Sequence, residues 1–290
     1  MFYAAVLAIL ASTSLTVGLY LLKRQAERLP SLSGGWRLGV LSAFAHDPIW
    51  VLGALLQLLG YALYMLALGA APLSIVHTAL NGGIVLFVIL SVIGLGEQVR
   101  PVEWVGVGII TIALIILSAS LSTEPISSVT PHGLLTFSLT LVTLSAAAIA
   151  VDPTPQRPVG TSVASGLLLG LGSVYAKGLA NAWPLGGAGI YLPLTIIANV
   201  IGFVLMQAAF QSGRGVVVMP LFATLSNLVP IVGGIVVFDE ALPEHGAAAV
   251  LRPLAFVLAL VGAAVLAGFG ERAPVVGAAP TVQAENANSR

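Results

Sequence analysis

Charge is what this chain has least of. Only 8% of its 290 residues are charged, against roughly 25% in a soluble globular domain, and the formal net charge is zero. Such a chain cannot cover a water-facing surface, and with no basic stripe or charge block it offers nothing to nucleic acid or to an acidic macromolecular partner. Cysteine is absent altogether, which excludes disulfides, thiolate metal centres and thiol catalysis. Also missing are a Walker A sequence, a dinucleotide fingerprint after a strand, an HExxH pair and a nucleophile elbow. No enzyme activity, metal ligand set or cofactor is expected, and neither is an ATP-driven pump on this chain alone.

What the chain has instead is apolar length. Its hydrophobic fraction is 58%, and a hydrocarbon core about 30 Å thick needs about 20 apolar residues in helix. Nine such runs occur, near 2–22, 48–70, 72–95, 101–121, 133–151, 159–182, 188–211, 214–238 and 247–270. Turn chemistry separates them, as in STEP at 122–125 and DPTPQRP at 152–158. Lys23 and Arg24 follow the first run instead of preceding it, so it reads as a retained span and not a secretory signal. Residues 24–47 read as a polar connection with at most an interfacial turn, and 271–290 as a disordered cytoplasmic tail.

Orientation follows from the cations, because cytoplasmic connections carry the Lys/Arg excess. With the N-terminus outside, Lys23, Arg24, Arg28, Arg37, Arg100, Arg157, Arg214, Arg272 and Arg290 all fall inside, which is nine of the eleven. Lys177 and Arg252 lie within hydrophobic spans. The topology expected is N-out and C-in. Nine of the eleven cations are Arg, a composition that fits a GC-rich bacterial source and hence a bacterial cytoplasmic membrane.

Two polar breaks are alike. Placing Glu97 of GLGEQVRPVEWVG over Glu240 of VVFDEALPEHG aligns the flanking helices at a constant offset, and GLYLLK (18–23) matches GSVYAK (172–177) in glycine-to-lysine spacing. The chain therefore reads as two four-helix units, 1–121 and 159–270, with a linking helix and loops at 122–158. Five spans separate matching helices, so the second unit is expected to run the opposite way through the bilayer. Inverted repeats of this kind characterise secondary carriers, whose site lies between the halves near the midplane.

The stretch LGEQVRPVEWVGVGIITIALIIL resembles the Glu, turn, Gly-rich-helix signature of the drug/metabolite transporter superfamily. AAVLAILASTSLTVGLYLLKRQAERLP resembles the opening helix of its small multidrug resistance branch. The second unit, from FQSGRGVVVMPLFATLSNLVPIVGGIVVFDEALP onward, is similar to the EamA-type and NIPA-like branches, several members of which have nine spans. The resemblance covers residues 2–270 and implies a carrier of small solutes, with export as its direction. It departs at one point: Leu15 and Leu169 stand where the small multidrug carriers hold a membrane-embedded Glu, so it transmits no proton-coupled cation mechanism.

Polar side chains in hydrocarbon turn toward a bundle interior or a water cavity, so their spacing marks a pathway. Ser74, His77 and Asn81 share one face of the third span, Pro220, Thr224 and Asn227 one face of the eighth, and Asn199, Phe203 and Gln207 one face of the seventh. The candidate substrate-binding residues are His77, Asn81, Lys177, Asn199, Gln207, Thr224 and Asn227. Each Asn or Thr has the alternative of tying two helices together, and His77 is either a proton carrier or a structural histidine. Lys177 either snorkels or meets an anionic or zwitterionic ligand. Glu97 and Glu240 read as hinge or capping groups on opposite faces.

The fold expected is thus an all-α polytopic membrane protein of about nine transmembrane helices. It would move a small organic metabolite or drug-like solute by alternating access. A NIPA-like magnesium transporter is the first alternative and a non-transporting assembly or lipid-binding membrane protein the second. Expected partners are the solute and the lipid bilayer, and a homodimer is compatible.

Overall fold

The computed structural model describes residues 2–26, 28–29, 38–70, 73–119, 131–151, 158–182, 188–239 and 246–270. Within them the protein is helical, with ten α-helices and no strand: α1 (Phe2–Ala26), α2 (Leu38–His46), α3 (Pro48–Ala70), α4 (Leu73–Leu95), α5 (Pro101–Ala119), α6 (Pro131–Val151), α7 (Pro158–Ala182), α8 (Ala188–Ser212), α9 (Gly215–Phe238) and α10 (Ala247–Gly270). Among the described residues seven helices are long and apolar enough to cross a membrane, namely α1 and α5 through α10, while α3 and α4 contribute the shorter apolar stretches Pro48–Tyr64 and Ala79–Leu95. Each of the nine apolar runs lies on one of these helices. The connection at 24–47 departs from expectation, because its apolar LGVLSAFA stretch forms the separate helix α2. The tail at 271–290 lies outside the described residues.

Helix starts are written into the sequence. Pro48, Pro101, Pro131 and Pro158 each occupy a first helical position, where proline's fixed φ fits and its missing N–H would have no intrahelical partner. Asp47 caps α3 by accepting the Trp50 N–H at 2.7 Å. Glu103, in the first turn of α5, reaches back to accept the Arg100 N–H at 2.8 Å, half of a capping box.

Packing rests on glycines, because lipid tails are as apolar as leucine and helices associate by close approach. A methyl group added at Gly60 would lie 2.6 Å from Leu15 Cγ, and one at Gly53 would lie 3.2 Å from Leu22 Cγ, so α1 and α3 run antiparallel in contact. Likewise Gly202 meets Leu169 and Gly178 meets Tyr191, which makes α7 and α8 antiparallel. By the same reading Gly83 against Ser12 and Thr16, and Gly94 against Tyr20, set α1 parallel to α4; Gly166 against Phe222, and Gly170 against Val229, set α7 parallel to α9. Gly106 meets Leu266 while Gly262 meets Ile110, so α5 and α10 are antiparallel.

Burial is uneven. Most of α7 and α9 is buried inside the bundle, whereas α6 and α8 are mostly exposed. The largest apolar core joins α4, α5, α9 and α10 through Phe87, Leu114, Phe222 and Leu266. Apolar side chains such as Leu58, Leu139 and Ile196 face outward, as a lipid-facing surface requires.

Two glycines give opposite expectations. Gly166→Ala would place a methyl 2.7 Å from the immovable Phe222 carbonyl oxygen, and should cost about 1–3 kcal/mol, read as a lowered thermal midpoint in detergent. Gly82→Ala meets nothing within 4 Å and should leave stability level or raise it by at most about 1 kcal/mol, read as an unchanged or raised midpoint.

Candidate functional site

The densest polar constellation lies where α8 ends and α9 begins. Only Gly213 and Arg214 separate the two helices, so the last carbonyls of one and the first N–H groups of the other stand together, buried and in need of partners. Side chains from far earlier in the chain supply them. Lys23 of α1, fully buried, donates from Nζ to the carbonyls of Phe210 at 2.7 Å and Gly213 at 2.6 Å. Glu97 accepts the N–H of Gly215 at 2.6 Å and of Val216 at 3.0 Å. A cation thus sits at the negative end of α8 and a carboxylate at the positive end of α9, each where the macrodipole favours it.

Arg214 completes the cluster. Its guanidinium donates to both oxygens of Glu103, at 2.6 and 3.0 Å, and to the Gln98 carbonyl. Glu103 is 0% and Arg214 8% exposed. This paired fork is the geometry in which a desolvated arginine and carboxylate compensate each other. Gly96 makes it reachable. Its φ of 68° lets the chain turn sharply after α4, so the Glu97 N–H returns to the Ser91 carbonyl at 3.2 Å while its carboxylate projects at α9. Glu97 therefore caps a helix in the other half of the chain, and the helix that follows it in sequence is served by Glu103.

The amides and hydroxyls singled out in mid-span are distributed differently. Asn81 is buried between α4 and α5, its Nδ2 donating to the Leu114 carbonyl at 3.1 Å and Ser118 Oγ at 2.9 Å. Thr224 Oγ1 donates to the Pro220 carbonyl and Asn227 Nδ2 to the Ala223 carbonyl, each on its own helix. Asn199 donates to Thr195 and stands against Gly172. Gln207 accepts the Trp50 indole N–H at 3.4 Å, beside the edge-on pair of Trp50 and Phe203. Lys177, half-buried, has its Nζ 4.8 Å from the centre of the Phe238 ring. His77 and Ser74 lie on α4 with side chains outside the described residues, and Glu240 lies outside them altogether.

Sequence reasoning missed three members of the cluster. Lys23 and Arg214 were read only as cytoplasmic cations and Glu103 only as part of a polar break. The overlooked signal was their economy: in a chain with 11 Lys and Arg, a cation at the end of an apolar run can stabilise a helix C-terminus as readily as it can face lipid headgroups.

Arg214→Met should strand Glu103 as an unpaired buried carboxylate and cost about 3–5 kcal/mol. Adding Glu103→Met should recover much of that loss, a non-additivity readable in a double-mutant cycle of thermal midpoints.

The chain is 26% identical over 278 residues to the probable magnesium transporter NIPA9 of Arabidopsis thaliana, a match covering 90% of this chain and 80% of that protein. No family model and no solved structure matches it. Similarity to a transporter along nearly the whole helical region supports a transporter role for this apolar, all-helical chain.

Proposed function

We propose that the protein is a secondary carrier of nine spans, built as two four-helix units of opposite sense joined by α6, that moves a small solute across a bacterial cytoplasmic membrane by alternating access. Matched packing supports the repeat. Leu15 lies against Gly60 as Leu169 lies against Gly202, with Cγ 2.6 and 2.8 Å from the added methyl, and Gly18 and Gly172 meet the amides of Gln57 and Asn199. The parallel pairs α1 with α4 and α7 with α9 correspond, and the antiparallel α5 and α10 support opposite sense. Such a pair of halves can exchange conformations about one shared site. The cation distribution supports the N-terminus outside and the C-terminus inside.

Magnesium is the substrate favoured by the observation that carries the proposal, the near full-length similarity to a protein named as a probable magnesium transporter. Mg²⁺ dehydrates reluctantly and keeps several waters. Amide oxygens of the half-buried Asn199 and Asn227 can therefore serve a hydrated ion without a mid-span carboxylate. A small organic solute, moved outward as the drug/metabolite transporter resemblance implies, is the second reading. It is favoured by the neutral, half-buried amides of Asn199 and Asn227, which supply donors and acceptors without net charge.

Purified protein in vesicles containing a fluorescent magnesium indicator decides between them. Magnesium-dependent signal, absent from protein-free vesicles, is expected on the first reading; flux of an organic solute without magnesium flux supports the second, and neither flux overturns the carrier proposal. Asn227→Leu should reduce flux at least about tenfold with an unchanged thermal midpoint, whereas Asn81→Leu, which removes the tie to α5, should also cost about 1–2 kcal/mol of stability, read as a lowered midpoint.

A further inference from the structure

The matched packing of the two units carries one pair of amides with it. On α1 and α7 a leucine precedes a glycine by three residues, as Leu15 and Gly18 and as Leu169 and Gly172. On α3 and α8 an amide precedes a glycine by three residues, as Gln57 and Gly60 and as Asn199 and Gly202. Leu15 meets Gly60 as Leu169 meets Gly202, and Gly18 meets the Gln57 amide nitrogen as Gly172 meets that of Asn199. Gln57 and Asn199 are therefore counterparts. Gln57 stands alone among the leucines of LLQLLG, so no polar stripe marks it in the sequence.

The two also stand at one depth. Trp50, in the first turn of α3, donates its indole N–H to Gln207 and sets its ring edge-on to Phe203 with centroids 6.4 Å apart, both residues lying toward the end of α8. The start of one helix meets the end of the other, so α3 and α8 run antiparallel. Gln57 is seven residues beyond Trp50, and Asn199 is eight before Gln207. Each is thus about two turns, or roughly 10–12 Å, from the Trp50 contact and near the middle of its own helix. A step of two turns returns to the same helix face, so Gln57 shares the face of α3 that Trp50 turns toward α8, and Asn199 shares a face of α8 with Phe203. Counterparts at one depth on antiparallel helices lie on either side of the axis that relates the halves.

Both amides spend their nitrogen on backbone. Gln57 Nε2 donates to the Leu15 carbonyl at 2.6 Å and Asn199 Nδ2 to the Thr195 carbonyl at 2.8 Å. Neither oxygen has a hydrogen-bond partner among the described residues, and neither is sealed inside the bundle as Gln207 Nε2 is. Each carboxamide is therefore held with an uncharged acceptor available. We propose that Gln57 and Asn199 form one substrate-binding pair across the pseudo-two-fold axis, their two oxygens accepting hydrogen bonds from a ligand that carries donors on opposite sides. The proposal rests on the carrier reading and adds Gln57 to it. The water shell of a hydrated magnesium ion supplies such donors in every direction, and the N–H and O–H groups of a polar organic solute supply them too. A pair on the axis has the further property that, when the halves exchange conformations, each oxygen takes the place of the other and the ligand keeps both acceptors.

The absence of cysteine makes the pair directly measurable, since single reporters need no background removal. Gln57→Cys and Asn199→Cys, each in purified folded protein, should react with a small water-soluble methanethiosulfonate reagent. Magnesium at about ten times the KM of the same variant should slow both reactions about tenfold. In magnesium flux, Gln57→Glu should lower KM about tenfold and slow turnover, because added ligand charge tightens cation binding and delays release. A residue that only ties α3 to α1 would move the thermal midpoint and produce neither effect. Protection by an organic solute found to be transported, and not by magnesium, keeps the pair and assigns the donors to that solute. Thiols that do not react in folded variants, or whose reaction no transported solute slows, overturn the pair, and flux of the unmodified protein then leaves the carrier reading standing. No flux of either solute from the unmodified protein removes the carrier reading and the pair with it.

Discussion

The chain holds few charges, and two carboxylates and two cations among them meet at one helix junction. In an apolar bundle an isolated ion would be costly by several kcal/mol, so each must arrive with its complement. Lys23 meets the carbonyl end of α8, Glu97 the amide end of α9, and Glu103 meets Arg214. Two of the three contacts use backbone dipoles and not a second side chain, so the cluster exists only while α8 and α9 are helical up to Ser212 and from Gly215. Charge and fold specify each other here. Lys23, Glu97 and Glu103 each come from near the end of a helix or the turn beyond it, so α8 and α9 are tied to α1, α4 and α5 by electrostatics at this end.

Glycine does the complementary work along the helix lengths. Where Gly18 stands on Gly53, and Gly166 on the Phe222 carbonyl, backbone approaches backbone, and dispersion replaces the hydrophobic drive that lipid removes. Such contacts slide more readily than interlocked large side chains. The bundle is thus held by close glycine faces along its length and by one polar cluster at the α8–α9 junction.

How far this was readable from sequence differs by element. Apolar run length located the helices well, because membrane thickness sets it, and α2 was missed because an eight-residue apolar stretch inside a polar connection carries no such length signal. Glu97 stood out because the break around it occurs twice. Its partner did not, since a cap supplied from over a hundred residues away leaves no local pattern. Lys23 shows the ambiguity most clearly: a cation after an apolar run has one sequence signature whether it lies among headgroups or, as here, against the α8 carbonyls. Periodicity placed Asn81, Thr224 and Asn227 on helix faces but could not say what each amide or hydroxyl touches. Asn81 proves to tie α4 to α5, while the Thr224 hydroxyl and the Asn227 Nδ2 donate within their own helix.

Neutral middle and charged end have a common cause. A mid-span carboxylate would bind a cation strongly and hold it, whereas amide, hydroxyl and carbonyl oxygens bind weakly enough to release, which a carrier of either a hydrated ion or a polar solute requires. The charges are placed at one end instead, where helix termini and a paired arginine compensate them. Glu103 both caps α5 and pairs with Arg214, so one carboxylate ties the start of α9 to the start of α5. That helix is packed against α10 through Gly106 and Gly262. The α8–α9 junction and the α5–α10 contact are thereby joined by a continuous series of hydrogen bonds and backbone approaches.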